Sequence, residues 1–436
     1  MSLEPGNEQV REHMRWNLGA LLLDVSFFAL GMSFVDSSAV LPLLMHRLGA
    51  STVLIGGFAA ARSLALSGVQ IVVAHFTHNR DKQKPWLAFV ATVTRLPLLA
   101  LPFILLHANE NDAARKFALW SVIALLTFWA LGDGLGYVPW VEIVARAFSA
   151  RVRGRFFATS QVVSGIGSVF IGLVIVQWVL HTSKFPYPAN YALLAGAAAI
   201  MFQISLCGVL LIKEPHIEKL AKPAIVPTFT EYLAKLPVLL RADRVFVKLS
   251  LIQLLLGFGA AASPFYVIYA TSKFHTDDHW AGVYQAVQAL GIISLSPVWT
   301  WISERKSEAA AIRALGLTIV FTPIAAIIAG SLNPWAFCVV FFMMGGSLGW
   351  CLWIVTNHYL LSHIEESKRS VYVALMNLLF TPAAFFPWLG GVIVSGQIQL
   401  SSIKANLLFA LTAVVTSMGY WLSRSLRQLD RPSSKL

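Results

Sequence analysis

Charge is what this sequence has least of. Only 12% of its 436 residues are Asp, Glu, Lys or Arg, about half the share of a typical soluble domain. With 57% apolar residues and a mean hydropathy of +0.68, there is too little polar surface to cover soluble globules. Disordered and fibrous chains need polar or repetitive composition and are excluded as well. Cysteine is scarce too. Cys207, Cys338 and Cys351 all fall inside apolar runs, which excludes a disulfide framework or a cysteine metal cluster and suits packing as small apolar groups. A cleavable signal peptide is missing: Met1 to Arg15 is polar with mixed charge, and the run Leu18 to Leu44 is too long for an h-region. Neither a Gly-Lys-Ser/Thr phosphate loop nor His-Glu-x-x-His occurs, so ATP-driven transport has no engine and no metal or cofactor is called for. The chain holds no catalytic pair of acids, nucleophile or metal set, and it does not read as an enzyme.

Long apolar runs are what it has. One bilayer span of about 20 residues plus its connection, divided into 436 residues, gives about twelve. The runs predict spans at 17–44, 52–76, 86–107, 117–139, 156–180, 189–212, 246–271, 280–302, 311–331, 335–361, 370–395 and 403–423. The net charge of +12 then becomes a matter of sides. Alternating the connections puts 25 of the 33 Lys and Arg on one face and six (Arg47, Arg115, Lys116, Lys184, Lys273, Lys404) on the other, with Arg62 and Arg95 inside spans. This positive-inside pattern places both termini in the cytoplasm and the protein in the plasma (inner) membrane. Cations distributed beside anionic headgroups also account for the isoelectric point near 9.7 without nucleic acid.

The longest polar interval, 213–245, divides the chain into a six-span half at 1–212 and a second half with a cytoplasmic tail at 246–436. Residues 228–241 can form an amphipathic helix with Tyr232, Leu233, Leu236, Leu239 and Leu240 on its apolar side. The halves match weakly: Gly57 falls on Gly282, and Arg80 on Arg305. Two related six-helix halves with a midplane site between them are a secondary-transporter arrangement.

Several stretches carry a resemblance. The loop HFTHNRDKQKPWL (75–87) keeps a basic cluster and Pro85, with His78 and Asp81 where the related signature has Asp and Gly. Alongside it stand RLGASTVLIGG (47–57), TRLPLLALP (94–102), YVPWVEIVARAF (137–148), RVRGRFFA (151–158) and YVALMNLLFTPAAFFPWLGGVI (372–393). On these segments the chain resembles the major facilitator superfamily, and within it a group of poorly characterised prokaryotic permeases. The antiporter-type glycine-proline motif of helix 5 is missing, since VSGIGSVFIG (163–172) has no proline. The resemblance implies an all-α membrane protein of twelve helices in two six-helix bundles, with helices 1, 4, 7 and 10 lining a cavity and helix 3 peripheral. It also implies a gating role for Arg80 and Asp81.

Ionisable groups inside spans are costly and mark functional positions. Five stand out, all in the first half: Asp24, Asp36, Arg62, Arg95 and Asp133. At 1.5 Å per residue, Arg62 and Arg95 lie roughly 14–15 Å into their spans, near the midplane. They can hold an anionic group of a substrate while Asp24 or Asp133 takes a coupling proton. Equally, the five can pair to tie helices 1 to 4 together, the reading helix 3's place favours for Arg95. Trp140, Glu142, Arg146, Arg151, Arg153, Gly154 and Arg155 stand together at the inner end of helix 4 and the entry to helix 5. Glu142 beside these arginines can form ion pairs made in one state and broken in another, a cytoplasmic gate, or the group can be an ordinary positive-inside loop. In the second half, Gln253, Asn357 and His358 can bond a neutral solute or only neighbouring helices.

The reading that results is a secondary active transporter of a small organic solute, working by alternating access. It acts as a monomer in the bilayer and is coupled to protons. The alternative is a non-transporting membrane sensor or binding protein on the same fold.

Overall fold

The computed structural model describes residues 5–69, 73, 81–214, 243–364, 369–395 and 402–426, and no β-strand occurs among them. Eleven described helices are long and apolar enough to cross a membrane. In chain order, with one shorter apolar helix between the first two, these are α1 (His13–Phe34), α2 (Thr52–Ser67), α3 (Lys84–Leu106), α4 (Asp112–Ala147), α5 (Arg151–His181), α6 (Ala189–Leu211), α7 (Arg244–Phe274), α8 (Trp280–Arg305), α9 (Glu308–Ala329), α10 (Pro334–His363), α11 (Leu375–Ile393) and α12 (Ser402–Ser423).

Local chemistry sets the starts. Asn111, Ser307 and Asn333 stand just before α4, α9 and α10, and each accepts a hydrogen bond from the backbone N–H three residues on. Asp243 does the same for α7 through Val245 and Phe246. Each satisfies a donor that the first helical turn would leave orphaned.

Two spans differ from the hydropathy reading. The expected span 17–44 is broken: α1 ends at Phe34, and a separate helix runs over Val40–Arg47. The cause is Asp36, whose Oδ1 accepts from the backbone N–H of Ser38 and Ala39 at 2.8 Å and so competes with helical pairing. Conversely, α4 continues past the expected end at 139, through Pro139, to 36 residues. Hydropathy reports where the chain is greasy, whereas a hydrogen-bond ladder continues beyond that. The second expected span, 52–76, is described as helix α2 only to Ser67. The expected amphipathic helix at 228–241 lies outside the described residues.

The chain divides into two compact units. The first is Met1–Ala50, Phe58–Thr230 and Asp277–Ala286; the second is Ser51–Gly57, Glu231–Thr276 and Val287–Leu436. In the first unit α1 runs along α6, and α3 packs on both α4 and α6. Leu21, Leu87, Ile143, Val144, Phe156 and Val209 form a common core. Phe28, Trp129 and Phe202 form a ring cluster with centroids 4.7–5.8 Å apart. Lipid is as apolar as leucine, so these contacts hold helices together by close packing and not by escape from water. A close approach lies at Gly208 of α6, where a Cβ would stand 2.7 Å from the backbone nitrogen of Asp24 and 2.8 Å from the carbonyl of Ala20. Only glycine lets α1 come this near, and the approach fixes Asp24 against α6.

In the second unit α9 and α7 both pack on α12. Their core includes Phe246, Leu249, Leu256, Ile312, Leu315, Leu352, Tyr359 and Met376. Large apolar side chains remain exposed in both units, among them Phe103, Phe117, Trp120, Ile166, Trp335 and Trp421, as helix faces meeting acyl chains require.

Candidate functional site

Within the first unit lies a cavity of about 330 Å³, at the lower end of the range for small-molecule sites. Its wall is mostly apolar and aromatic, including Phe28, Met32, Leu66, Trp129 and Tyr137. Four charged side chains interrupt it: Asp24 from α1, Arg62 from α2, Arg95 from α3 and Asp133 from α4.

Arg95 is the hub. Its Nη1 lies 3.7 Å from Asp24 Oδ1, and its Nη2 lies 3.6 Å from Asp133 Oδ1. Nη1 also donates to Ser205 Oγ of α6 at 2.9 Å, and Ser205 Oγ in turn donates to Asp24 Oδ1 at 2.6 Å. The other oxygen of Asp24 accepts from Trp140 Nε1 at 2.9 Å. Asp24 is thus buried, 4% exposed, with both oxygens satisfied. Its counterpart differs. Asp133 is ion-paired to Arg95 alone, with 16% of its side chain exposed, and it makes no hydrogen bond to another described side chain.

Arg62 has a third kind of surroundings. Its guanidinium carbon stands 5.4 Å from the centre of the Trp129 ring, and Nη2 donates to Met32 Sδ at 3.6 Å. No carboxylate stands within ion-pair distance of it among the described residues. An indole face and a thioether stabilise a guanidinium only weakly, so its donors are free to receive an anion. With all four groups ionised, the two carboxylates and two guanidinium groups balance.

Four of the five intramembrane charges expected from the sequence therefore meet at one cavity. Asp36 does not: it caps the turn before Val40. Arg95, expected to pair peripherally, does pair, but on the cavity wall. Of the partners that hold the cluster, Ser205 and Met32 gave no sequence signal, because a serine and a methionine are ordinary residues in apolar helices, and Trp140 was expected with the gate group and not beside Asp24.

The second-half candidates do not share that cavity. Gln253 is buried, and neither of its amide atoms has a hydrogen-bond partner among the described residues. Asn357 donates to the carbonyl of Trp353 at 2.9 Å, a bond within α10 and so neither of the two expected uses. His358 is exposed and shares a 3.1 Å hydrogen bond between its Nδ1 and Ser303 Oγ.

At the end of α4, Glu142 pairs with Arg146 and not with Arg151, Arg153 or Arg155, which make no ion pair among the described residues. Arg146 also reaches Glu214 at 3.0 Å and donates to the carbonyl of Asp81 at 2.7 Å. Glu214 accepts from the backbone N–H of Gln83 and Lys84 at 2.8–2.9 Å, a carboxylate at the N-terminus of α3 where the helix dipole favours it. Arg80 lies outside the described residues.

The described residues thus form a helical, multi-span membrane protein with a charged cluster inside its helices. The chain belongs to the Major Facilitator Superfamily, whose family model matches residues 21–387. The comparison with curated proteins finds no match. Among solved structures it is similar to a nucleoside transporter, NupG, at 12% identity, covering 93% of this chain and 99% of that one with a TM-score of 0.67. A bacterial homologue of the iron transporter ferroportin, in an inward-facing state, is 12% identical over 94% and 98%, with a TM-score of 0.66. A D-xylose-proton symporter is 13% identical over 94% and 96%, with a TM-score of 0.63. At such identities the likeness is one of fold, and the cargoes of the three differ.

Proposed function

We propose that this protein is a secondary active transporter that moves a small organic anion with an apolar body by alternating access, coupled to protons. It acts as a monomer in the plasma membrane, with both termini in the cytoplasm, and performs no chemistry on its cargo. The observation that carries the reading is the unequal provision for charge on one cavity wall. Among the described residues Arg62 lacks a carboxylate partner, and Asp133 holds only half of a shared arginine.

In this mechanism the solute's anionic group docks on Arg62 while its apolar part lies against Trp129 and Phe28. Asp133 takes up a proton, which releases its share of Arg95; that guanidinium then rests on Asp24 and Ser205. Moving one proton with one anion leaves the buried cluster neutral throughout, which the low-dielectric interior demands. Glu142, Arg146 and Glu214 serve as the cytoplasmic latch, made and broken as the ends of α3 and α4 move. That some superfamily folds are proton symporters, the D-xylose one included, is in keeping with this drive.

The test is uptake into proteoliposomes. Purified protein should accumulate small aromatic or branched monocarboxylates when an inward proton gradient is imposed, and should not do so for neutral analogues. Binding without any flux, with or without the gradient, would mean a sensor and overturn the transporter reading.

A further inference from the structure

We propose that His181, Asp277 and His279 form a binding site for one divalent transition ion of the Zn²⁺ class. His181 is the last residue of α5, whereas Asp277 and His279 lie just before α8, far off in sequence, so no motif announces them. The fold brings one ligand atom of each to within 4.8 Å of the others. The two imidazole rings meet edge to face with centroids 4.7 Å apart.

A second observation points to a ligand. His279 Nδ1 is buried and has no hydrogen-bond partner among the described residues, a lone pair or N–H left idle where water does not reach it. His181 and Asp277 are exposed, so an ion can enter from solvent and keep water at its open position. Two imidazoles and a carboxylate are a ligand set for zinc and its neighbours in the first transition row, whereas calcium and magnesium take oxygens. Tetrahedral zinc needs its donors roughly 3.3 Å apart, which side-chain rotation can reach from the present spacing.

The segment that bears two of the ligands is already pinned. Between them, Asp278 binds Arg47 bidentately at 2.9 and 3.0 Å and accepts from the Tyr191 hydroxyl at 2.8 Å. Just beyond, Gly282 sits so near Gly172 of α5 that a Cβ would stand 2.5 Å from the Gly172 carbonyl oxygen. There α5 widens into a π-turn over Ile171–Val176, a feature frequent at functional sites. Asp278 is committed to Arg47 and Tyr191, and its two neighbours remain for the ion. A bound ion would fasten the end of α5 to the start of α8, two segments from opposite halves of the sequence.

The experiment uses the full chain, tag-free, in detergent and stripped with EDTA. Titration with Zn²⁺ by calorimetry should give one equivalent per chain in the micromolar range, together with a raised melting temperature. Co²⁺ should give visible d–d bands without a thiolate charge-transfer band. His181→Ala and His279→Ala should each weaken binding at least tenfold and abolish the thermal shift, while His107→Ala, at a separate His–Glu pair, leaves both unchanged. His181→Asn serves if an alanine variant fails to give a monodisperse peak. Absence of stoichiometric binding, a thiolate band, or affinity unchanged in both histidine variants would overturn the assignment.

Discussion

Asp24 and Asp133, on different helices, divide one guanidinium between them: Arg95 stands 3.7 Å from the first and 3.6 Å from the second. The division is uneven. Asp24 has hydrogen bonds from Ser205 and Trp140 as well, so both of its oxygens have a partner besides Arg95. Asp133 has no such reserve. Under the proposed mechanism, Asp24 is the acid that holds the structure and Asp133 the one that takes the proton.

Replacing Asp133 by Asn should abolish gradient-driven accumulation while leaving exchange of solute across the membrane intact. Counterflow and uphill uptake measured on the same proteoliposomes separate the two. Unchanged uphill uptake would remove Asp133 as the coupling group.

Arg62→Ala should raise the KM for an anionic solute at least tenfold, since a charge-assisted hydrogen bond contributes about 1.5–3 kcal/mol. Arg62→Lys should restore only part of this, because a point charge replaces a planar fork. Initial-rate uptake against concentration is the measurement.

Removing Arg95 leaves the buried Asp24 and the partly exposed Asp133 without the cation they share. Arg95→Gln should cost about 3–5 kcal/mol, the range for breaking a buried pair. The double change Asp24→Asn with Arg95→Gln should recover much of that loss, because the uncompensated charge goes with its partner. Thermal melts of purified protein, read by intrinsic fluorescence, check both.

Gly208→Ala should destabilise the protein by about 1–3 kcal/mol through overpacking, since the new methyl meets backbone atoms of α1. Gly19→Ala is the internal control: nothing lies within 4 Å of its Cβ position, so its melt should not fall. A harmless Gly208→Ala would show that α1 and α6 are free to separate.

Glu214→Gln should loosen the start of α3. Amide hydrogen exchange at Gln83 and Lys84 should quicken, because their N–H groups lose a charged acceptor that also holds Arg146. Exchange unaltered at these two positions would argue against a latch there.

How much of this was legible beforehand follows from what each kind of signal measures. Hydropathy found the spans because lipid tolerates only long apolar helices. It missed the break after Phe34 because a single Asp36 turn barely alters a window average. Intramembrane charges are rare enough to name on sight, and four of the five do meet at the cavity. Their partners could not be named. Ser205 and Trp140 matter only because Gly208 lets α6 press on α1 and because α4 passes beside Asp24. Of the arginines expected beside Glu142, the one that pairs with it is Arg146, one helical turn along, and Arg146 also meets Glu214, brought in from the end of α6.

Composition and spacing by themselves determined that this is a multi-span helical membrane protein with its few buried charges concentrated in one half, since lipid penalises every unsatisfied polar group wherever it falls in the chain. Tertiary packing alone decided which of those charges share a cavity, which acid is left short of partners, and that two histidines and an aspartate from distant segments stand together. Such relations depend on distances between helices, and helix spacing is set by side chains whose partners the linear order does not reveal.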